Sequence, residues 1–360
     1  MESEPLVRAL RDSRDRWLNL RRRRRTLIVL VAAVVLALGV GALIGRATEY
    51  AKLADSLKEA DPSWFALCFL GQVLAYLGYV LAYRDAARVD GGPVLSYRRC
   101  LEVVIAGFGA LVAASSAGGL AVDYWALHRA GAPPHEAVRR VLGLNTLEWA
   151  SLSAATCVGA AALILAGDDV SLGVTVPWLV GVPLCVLAAT WVSSPRRSAR
   201  LTRTDGVGRT RAILADAIGG VVYVRRLLAR PVHYRAGVAG FPIYWFGDII
   251  TLYAGLRAFD VHIGPAALIV GYSTGYVASA LPLPAGGSGG IDAAMTFALS
   301  AVGVPLGAAL LGVFAYRLFS FWLPLVPALL ILSRLRRLHA ELPSAVREGE
   351  EPAAGALARP

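Results

Sequence analysis

Long runs of apolar residues, separated by polar stretches rich in arginine, make up most of this chain. Six of these runs approach or exceed the roughly 20 residues that an α-helix needs to cross a bilayer. They are residues 26–45, 63–83, 141–166, 173–192, 236–256 and 305–332. The pattern therefore predicts an all-α fold, a polytopic membrane helical bundle.

Two further apolar stretches, residues 101–122 and 264–303, are rich in Gly and Ser. The second contains the sequence LPLPAGGSGG at residues 281–290, whose two prolines and four glycines exclude an ordinary helix interior. Irregular backbone at membrane depth is tolerated only where it is buried in protein or lines a polar cavity. Such broken segments mark the substrate site in many transporters. We therefore expect two re-entrant Gly-rich segments. A loop between two spans is one alternative interpretation, and two full crossings, which keep both termini on the same side, are the other.

The two Gly-rich segments resemble each other at an offset of 172 positions, which predicts an internal repeat. Four identities carry the resemblance: Leu127, Gly131, Pro133 and Ala137 match Leu299, Gly303, Pro305 and Ala309. Because three predicted spans separate the segments, one would be entered from inside and the other from outside, as in an inverted repeat. Helix N-termini at Gly118–Gly119 and Gly289–Gly290 would then point partial positive charge towards a phosphate.

Charge composition fits a membrane protein with a cytoplasmic basic side. Charged residues make up 17% of the chain, against about 25% in soluble proteins. With both termini inside, 31 of the 36 basic residues fall on the cytoplasmic side, as the positive-inside rule requires. We therefore expect a multi-pass protein of the cell membrane, and the net charge of +11 reflects topology rather than nucleic-acid binding.

The same distribution divides the chain into a basic cytoplasmic tail (1–25), a membrane domain (26–338) and a disordered cytoplasmic tail (339–360). Within the membrane domain, residues 193–235 form a basic cytoplasmic loop with an apolar stripe at helical spacing. The stripe comprises Ile213, Leu214, Ala217, Ile218, Val221 and Leu228. It predicts an amphipathic helix on the inner leaflet, or a docking surface for a cytoplasmic partner.

Charged side chains inside predicted spans are costly, so they are candidates for function. The guanidinium of Arg317 suits a lipid phosphate, or it forms a structural ion pair with an acid of another span. Asp292 follows the Gly cluster, so it either contributes to the site or only caps a helix.

Further polar residues occur in the other spans. Asn145 and Glu148 share one helix face, and Asp248 lies near the middle of its span. Each of these acids is either a cavity-lining group or neutralised by protonation or pairing. Asp123 and Arg129 follow the first Gly-rich segment, and we expect them to form a solvated interfacial pair.

Signals for enzymatic chemistry are missing from the sequence. The four cysteines have no CxxC spacing, His135-Glu136 does not begin an HExxH helix, and the Gly cluster lacks the Lys of a P-loop. We therefore expect no metal and no cofactor, and the absence of a nucleophile–base pair counts against an enzyme.

Three stretches carry a family resemblance: LPAGGSGGID at 283–292, ALSAVGVP at 298–305 and AYRLFSFWLP at 315–324. They resemble the lysylphosphatidylglycerol synthase transmembrane region family, a flippase-like integral membrane domain, and the resemblance covers roughly residues 32–338. Residues 115–148 resemble the family's earlier Gly-containing motif. This chain has Asp292 where the family usually has Glu, Asn145 where it usually has Arg, and Ser116-Ala-Gly-Gly119 where it usually has a Pro-Gly-Gly pattern.

The family's complete synthases carry a cytoplasmic acyltransferase-like domain after the membrane part, and this chain ends about 28 residues after its last span. The resemblance therefore implies the membrane module without the aminoacyl-transfer chemistry.

Resemblance and residues together favour a translocase for a phospholipid or a related anionic or aminoacylated lipid. The partners we expect are therefore membrane lipids, mainly anionic ones. Two alternatives stay open, which are a membrane subunit or enzyme in lipid-linked aminoacyl or glycosyl transfer, and a membrane scaffold. The residues expected to contact the lipid headgroup are Ser115, Ser116, Gly118, Gly119, Asn145, Glu148, Asp248, Gly286, Gly287, Ser288, Gly289, Gly290, Asp292 and Arg317.

Overall fold

A computed structural model describes residues 60–168, 170–202, 209–280 and 289–328, with the backbone alone at 111–117 and 209–210. Regular structure in these ranges is helical, and they contain no strand, as an all-α fold requires. The predicted first span at 26–45 and both predicted tails lie outside the described residues.

Ten α-helices, α1 to α10, follow one another along the described ranges. They are Ser63–Arg88, Tyr97–Arg129, Pro134–Ala166, Leu172–Val192, Pro195–Leu201, Arg209–Leu228, Arg235–Arg257, Pro265–Tyr276, Gly290–Ala301 and Leu306–Arg317. Short 3-10 helices follow α1 and α8, at Val89–Gly91 and Val277–Ala280.

Four helical stretches in the described ranges are long and apolar enough to cross a membrane. They are Ser63–Gly91, Pro134–Ala166, Leu172–Val192 and Leu306–Ala328, and each covers a predicted span or most of it. The remaining predicted span in these ranges, 236–256, is helix α7, which is not among the four. Helix α7 lies inside the bundle and carries the buried Asp248. Because it packs against other helices, fewer of its residues need to be apolar than in a helix that faces lipid.

Helices α1 and α7 pack with their backbones in contact. A Cβ atom added to Gly78 would lie 2.6 Å from the Gly240 carbonyl oxygen, and one added to Gly247 would lie 2.5 Å from the Gly71 carbonyl oxygen. Small residues permit this approach, which gives helices in a membrane their van der Waals packing. Because Gly71 faces Gly247 and Gly78 faces Gly240, the two helices run antiparallel.

Helix α2 reverses direction within its length. A Cβ atom on Gly119 would lie 3.6 Å from the Gly107 carbonyl oxygen, although 12 residues of straight α-helix rise about 18 Å. The chain therefore turns back between these two glycines. Helix is also assigned immediately before Gly118, so the returning arm begins before the pair Gly118–Gly119, and the predicted helix N-terminus lies a few residues too far along the chain.

Helices α8 and α9 form a comparable hairpin. Gly275 lies against Met295, and Gly271 lies against Leu299, so the two helices are antiparallel neighbours. Both contacting pairs of this hairpin have their sequence midpoint at position 285, and the Gly107–Gly119 pair of α2 has its midpoint at position 113. These two midpoints are 172 positions apart. Helix α9 begins at Gly290, as the sequence predicts.

The same offset of 172 relates other features of the two halves. Helices α1 and α7 begin at Ser63 and Arg235, and helices α3 and α10 begin at Pro134 and Leu306. The turns before α3 and α10 also match in detail. The Ala132 amide donates to the Leu127 carbonyl oxygen at 3.1 Å, and the Val304 amide donates to the Leu299 carbonyl oxygen at 3.1 Å.

Two observations thus support the predicted inverted repeat, which stays a prediction. The equivalent turns contain Gly131 and Gly303 with φ of 100° and 99°, and the equivalent helices α1 and α7 are antiparallel. Between the halves lie helices α4 to α6, which have no counterpart among the residues that the structure describes.

The basic loop contains the predicted helix, α6, which packs on α3. Gly220 lies 3.0 Å from the Gly143 amide nitrogen, measured from an added Cβ, and the Arg139 Nε lies 3.3 Å from the Asp216 Oδ1. Ile218 is buried, whereas Ile213 and Leu214 are exposed. An exposed apolar face with arginines nearby is therefore present, and its contact with a leaflet or a partner stays a prediction.

We expect Gly78→Leu to prevent stable folding, because the added side chain would force α1 and α7 apart. Overpacking of this kind costs about 1–3 kcal/mol or more. Gly181→Leu is the matched control, since a Cβ atom at Gly181 meets no atom within 4 Å. Thermal unfolding in detergent measures both variants. Equal midpoints for the two would contradict the backbone contact.

Candidate functional site

A cavity of about 410 Å³ lies between the two halves of the bundle. Its walls come from α1, α2 and α3 on one side and from α7 to α10 with their short extensions on the other. Helices α4, α5 and α6 contribute no residue to the lining that the described ranges provide. The part of the lining that the structure describes therefore comes from the repeated elements.

The lining itself follows the repeat. Of its 23 residues, 18 form nine pairs whose members are 172 positions apart. The pairs are Gln72 with Tyr244, Tyr76 with Asp248, Val104 with Tyr276, Gly107 with Ser279, Phe108 with Ala280, Gly119 with Ile291, Asn145 with Arg317, Glu148 with Ser320, and Trp149 with Phe321. In the predicted repeat, a cavity lined by equivalent positions of both halves lies where those halves meet.

Asp248 holds three helices together at one wall. Its Oδ1 accepts a hydrogen bond from Gln72 Nε2 at 2.6 Å, and its Oδ2 accepts one from the Tyr316 hydroxyl at 2.7 Å. The Tyr272 hydroxyl also donates to Oδ2. These donors come from α1, α10 and α8, so the carboxylate of α7 is stabilised by neutral groups and fixes the positions of its neighbours.

Arg317 and Asp292 form a buried ion pair beside the cavity. Arg317 Nε lies 2.7 Å from Asp292 Oδ1, and the guanidinium carbon lies 4.5 Å from the centre of the Phe321 ring. Asp292 Oδ2 also accepts a hydrogen bond from the Gly289 amide at 3.0 Å, at the start of α9. Asp292 is therefore a helix cap and an ion-pair partner at once. Phosphate binding by Arg317, which lines the cavity, stays a prediction.

Two further acids face the cavity from the first half. The Glu148 carboxyl group lies close to the Tyr79 hydroxyl and within electrostatic range of Asp123 and Asp248. Asp123 is 6% exposed and lines the cavity. The predicted solvated pair of Asp123 with Arg129 is therefore wrong for Asp123, because the reversal of α2 turns this residue into the bundle.

The charged groups of the lining do not balance. Asp123, Glu148 and Asp248 supply three carboxyl groups, whereas Arg317 supplies one guanidinium, which already pairs with Asp292 outside the lining. Aromatic residues such as Tyr76, Trp149, Tyr244 and Tyr276 make up much of the remaining wall. Aromatic faces and surplus acids together form an environment that attracts a cation.

The structure brings together five of the residues expected to contact a headgroup, namely Gly119, Asn145, Glu148, Asp248 and Arg317, which all line the cavity. Gly118, Gly289, Gly290 and Asp292 lie outside that lining. Gly286, Gly287 and Ser288 lie outside the described residues, as do the side chains of Ser115 and Ser116.

Sequence reasoning missed Gln72, Tyr79, Tyr316 and the role of Asp123. A polar amide in an otherwise apolar span was a usable signal for Gln72. The tyrosines gave none, because aromatic residues are common in spans for packing alone.

A family model for the lysylphosphatidylglycerol synthase TM region matches residues 29–328. This match covers most of the chain and includes every residue of the cavity lining. No curated protein matches the chain.

We expect Arg317→Ala to lower the free energy of unfolding by about 3–5 kcal/mol, because it leaves Asp292 buried without its cation. Adding Asp292→Asn to that variant should restore part of the loss. Arg98→Ala is the control, since Arg98 pairs with Glu102 at the surface, where an ion pair contributes about 0–1 kcal/mol. Chemical unfolding in detergent measures the stability of each variant. Equal free energies of unfolding for Arg317→Ala and Arg98→Ala would contradict the buried ion pair.

Proposed function

The chain belongs to the lysylphosphatidylglycerol synthase TM region family, and on that basis we propose that it is a lipid translocase, which moves a lipid headgroup between the two leaflets through the central cavity. Residues 29–328 match the family, and four helices of membrane-spanning length and composition make it a multi-pass membrane protein. The substrate and its movement are the proposal.

The paired lining of the cavity is the observation that carries this proposal. In transporters built from inverted repeats, the substrate site lies at the interface of the repeats, and the two halves rock around it to open each side in turn. A cavity in which nine pairs of equivalent positions face each other has the arrangement that such a mechanism requires. A fixed anchor or a scaffold has no need of it.

The placement of the hairpins agrees with re-entrant segments. Helix α8 has 12 residues, which extend about 18 Å, whereas the hydrocarbon core is about 30 Å thick. Its partner α9 also has 12 residues. Both helices are therefore too short to cross separately, and their antiparallel packing returns the chain to the side from which it came.

The charges of the cavity suggest which headgroup it takes. Three acids and several aromatic faces suit an ammonium group, and Arg317, which pairs with Asp292 near the start of α9, suits a phosphate. A lipid whose headgroup carries both groups, such as a zwitterionic or aminoacylated phospholipid, offers an ammonium group to the acids and a phosphate to Arg317. A purely anionic lipid would leave the acids without a partner.

Orientation follows from the arginines. Arg226 Nη1 of α6 lies 3.0 Å from Asp90 Oδ2, in the turn after α1. Contacts of this kind place the arginine-rich segments at the same end of the bundle. The opposite end, where Asp61 donates its amide to the Ala258 carbonyl oxygen, carries Arg257. By the positive-inside rule the arginine-rich end is cytoplasmic.

A cysteine test checks this orientation with one reporter at each end of the bundle. In a chain without native cysteines, we expect Asp260→Cys to react with an impermeant maleimide in intact cells. Ala199→Cys, also on an exposed residue, should react only after permeabilisation. The reverse labelling would invert the proposed topology.

Translocation itself is tested with purified protein in liposomes. The vesicles contain phosphatidylethanolamine, phosphatidylglycerol or aminoacylated phosphatidylglycerol, each labelled on an acyl chain. We expect faster exchange of the lipids that carry an ammonium group, and a loss of about tenfold in Glu148→Gln, because a charged hydrogen-bond partner contributes about 1.5–3 kcal/mol. Glu102→Gln, at a surface position, should keep the wild-type rate.

Exchange no faster than in empty vesicles would refute the translocase. New lipid products formed when an aminoacyl or glycosyl donor is added would support the alternative of a membrane enzyme.

A further inference from the structure

Asp123 is a buried acid that has no partner among the residues that the structure describes. It is 6% exposed and faces the cavity. A Cβ atom added to Gly107 would lie 3.9 Å from Asp123 Oδ1. No described donor or cation lies within hydrogen-bonding distance of this carboxyl group. Asp248, in contrast, has three donors.

The groups that face Asp123 do not offer it a positive charge. From α1, the Tyr83 hydroxyl donates to the Asp123 backbone carbonyl oxygen at 3.3 Å, and Tyr79 lies between Asp123 and Glu148. From α3, Glu148 adds a second acid.

From the second half, Asp248 and Tyr244 of α7 and Tyr276 of α8 surround Glu148. Arg317 of α10 is the cation of the described lining, and it lies against Asp292.

The repeat shows that these two acids are not required by the architecture. The position equivalent to Asp123 is Met295, and the position equivalent to Glu148 is Ser320. Both counterparts are neutral, although the helix starts and the turns of the two halves match at this offset. The repeat therefore does not require an acid at either position.

An ionised carboxylate that is buried without a partner is strongly unfavourable, and neighbouring acids increase the cost by repulsion. In the empty cavity such a group keeps its proton instead. We infer that Asp123, together with Glu148, forms a proton-exchange site, where the entry of a cation releases a bound proton to water, so that the cavity exchanges protons for cationic headgroups.

The exchange balances in charge. As the ammonium enters, the Asp123 carboxyl O–H bond breaks, the proton passes to water in the cavity mouth, and the carboxylate becomes the partner of the ammonium. When the cation leaves on the other side, the carboxylate takes a proton from that side. Translocation of a cationic headgroup in one direction therefore carries a proton in the other. The inference rests on the proposed function only for the identity of the cation as a lipid headgroup.

Infrared spectroscopy of the purified protein in detergent tests this site directly. A protonated carboxyl group has a C=O stretching band that a carboxylate lacks. At neutral pH we expect this band to be stronger in the wild type than in Asp123→Asn, which keeps the size and neutrality of the protonated acid. Asp260→Asn is the control, because Asp260 is exposed and has a positive φ that Asn also adopts.

The probes are dodecyltrimethylammonium and dodecyl phosphate. We expect the ammonium to remove the Asp123-dependent band and the phosphate to leave it unchanged. Glu148→Gln should show a weaker response to the ammonium, and it serves as the second variant if Asp123→Asn folds poorly. Identical spectra for wild type and Asp123→Asn, or a band that the ammonium does not change, would overturn the inference.

The outcome is separable from that of the liposome assay. If labelled lipid moves but the band is absent or unresponsive, the translocase stands and the proton exchange fails. If the band responds but no lipid moves, the exchange site stands and the translocase fails.

Discussion

The contact of α1 with α7 is the constraint on which the rest of the structure depends. Glycines at 71, 78, 240 and 247 let the two backbones touch, and any larger residue there would separate the halves. In the predicted repeat the two helices are equivalent, so this contact would lie on the axis that relates the halves. The cavity lies beside that contact, with residues of α1 and α7 in its lining.

The residues at equivalent positions of the cavity lining differ in charge between the two halves. Asn145 faces Arg317 across the repeat, Tyr76 corresponds to Asp248, and Glu148 corresponds to Ser320. Under the proposed function, the two halves exchange roles between two conformations, and the unequal charges orient the headgroup. A bipolar headgroup would then lie with its ammonium near the acids of the first half and its phosphate near Arg317.

The sequence predicted most of the fold, because apolar length and the offset of 172 are local properties that need no tertiary information. The sequence predicted that residues 101–122 dip into the membrane and return, but it did not predict the burial of Asp123, because that depends on how the returning arm of α2 packs beside Gly107. The partnership of Arg317 with Asp292 was one of two open interpretations. Choosing between them required the distance between α10 and α9, which is set by packing across the whole hairpin.

The central claim is that the cavity opens to each side of the membrane in turn. Ser320 lines the cavity, so Ser320→Cys in a chain without other cysteines reports its accessibility with little change in size. Labelling with an impermeant thiol reagent in right-side-out and inside-out vesicles makes the measurement. The account predicts reaction from both sides, with a cationic lipid changing the ratio. Reaction from one side alone, whatever lipid is present, would contradict it.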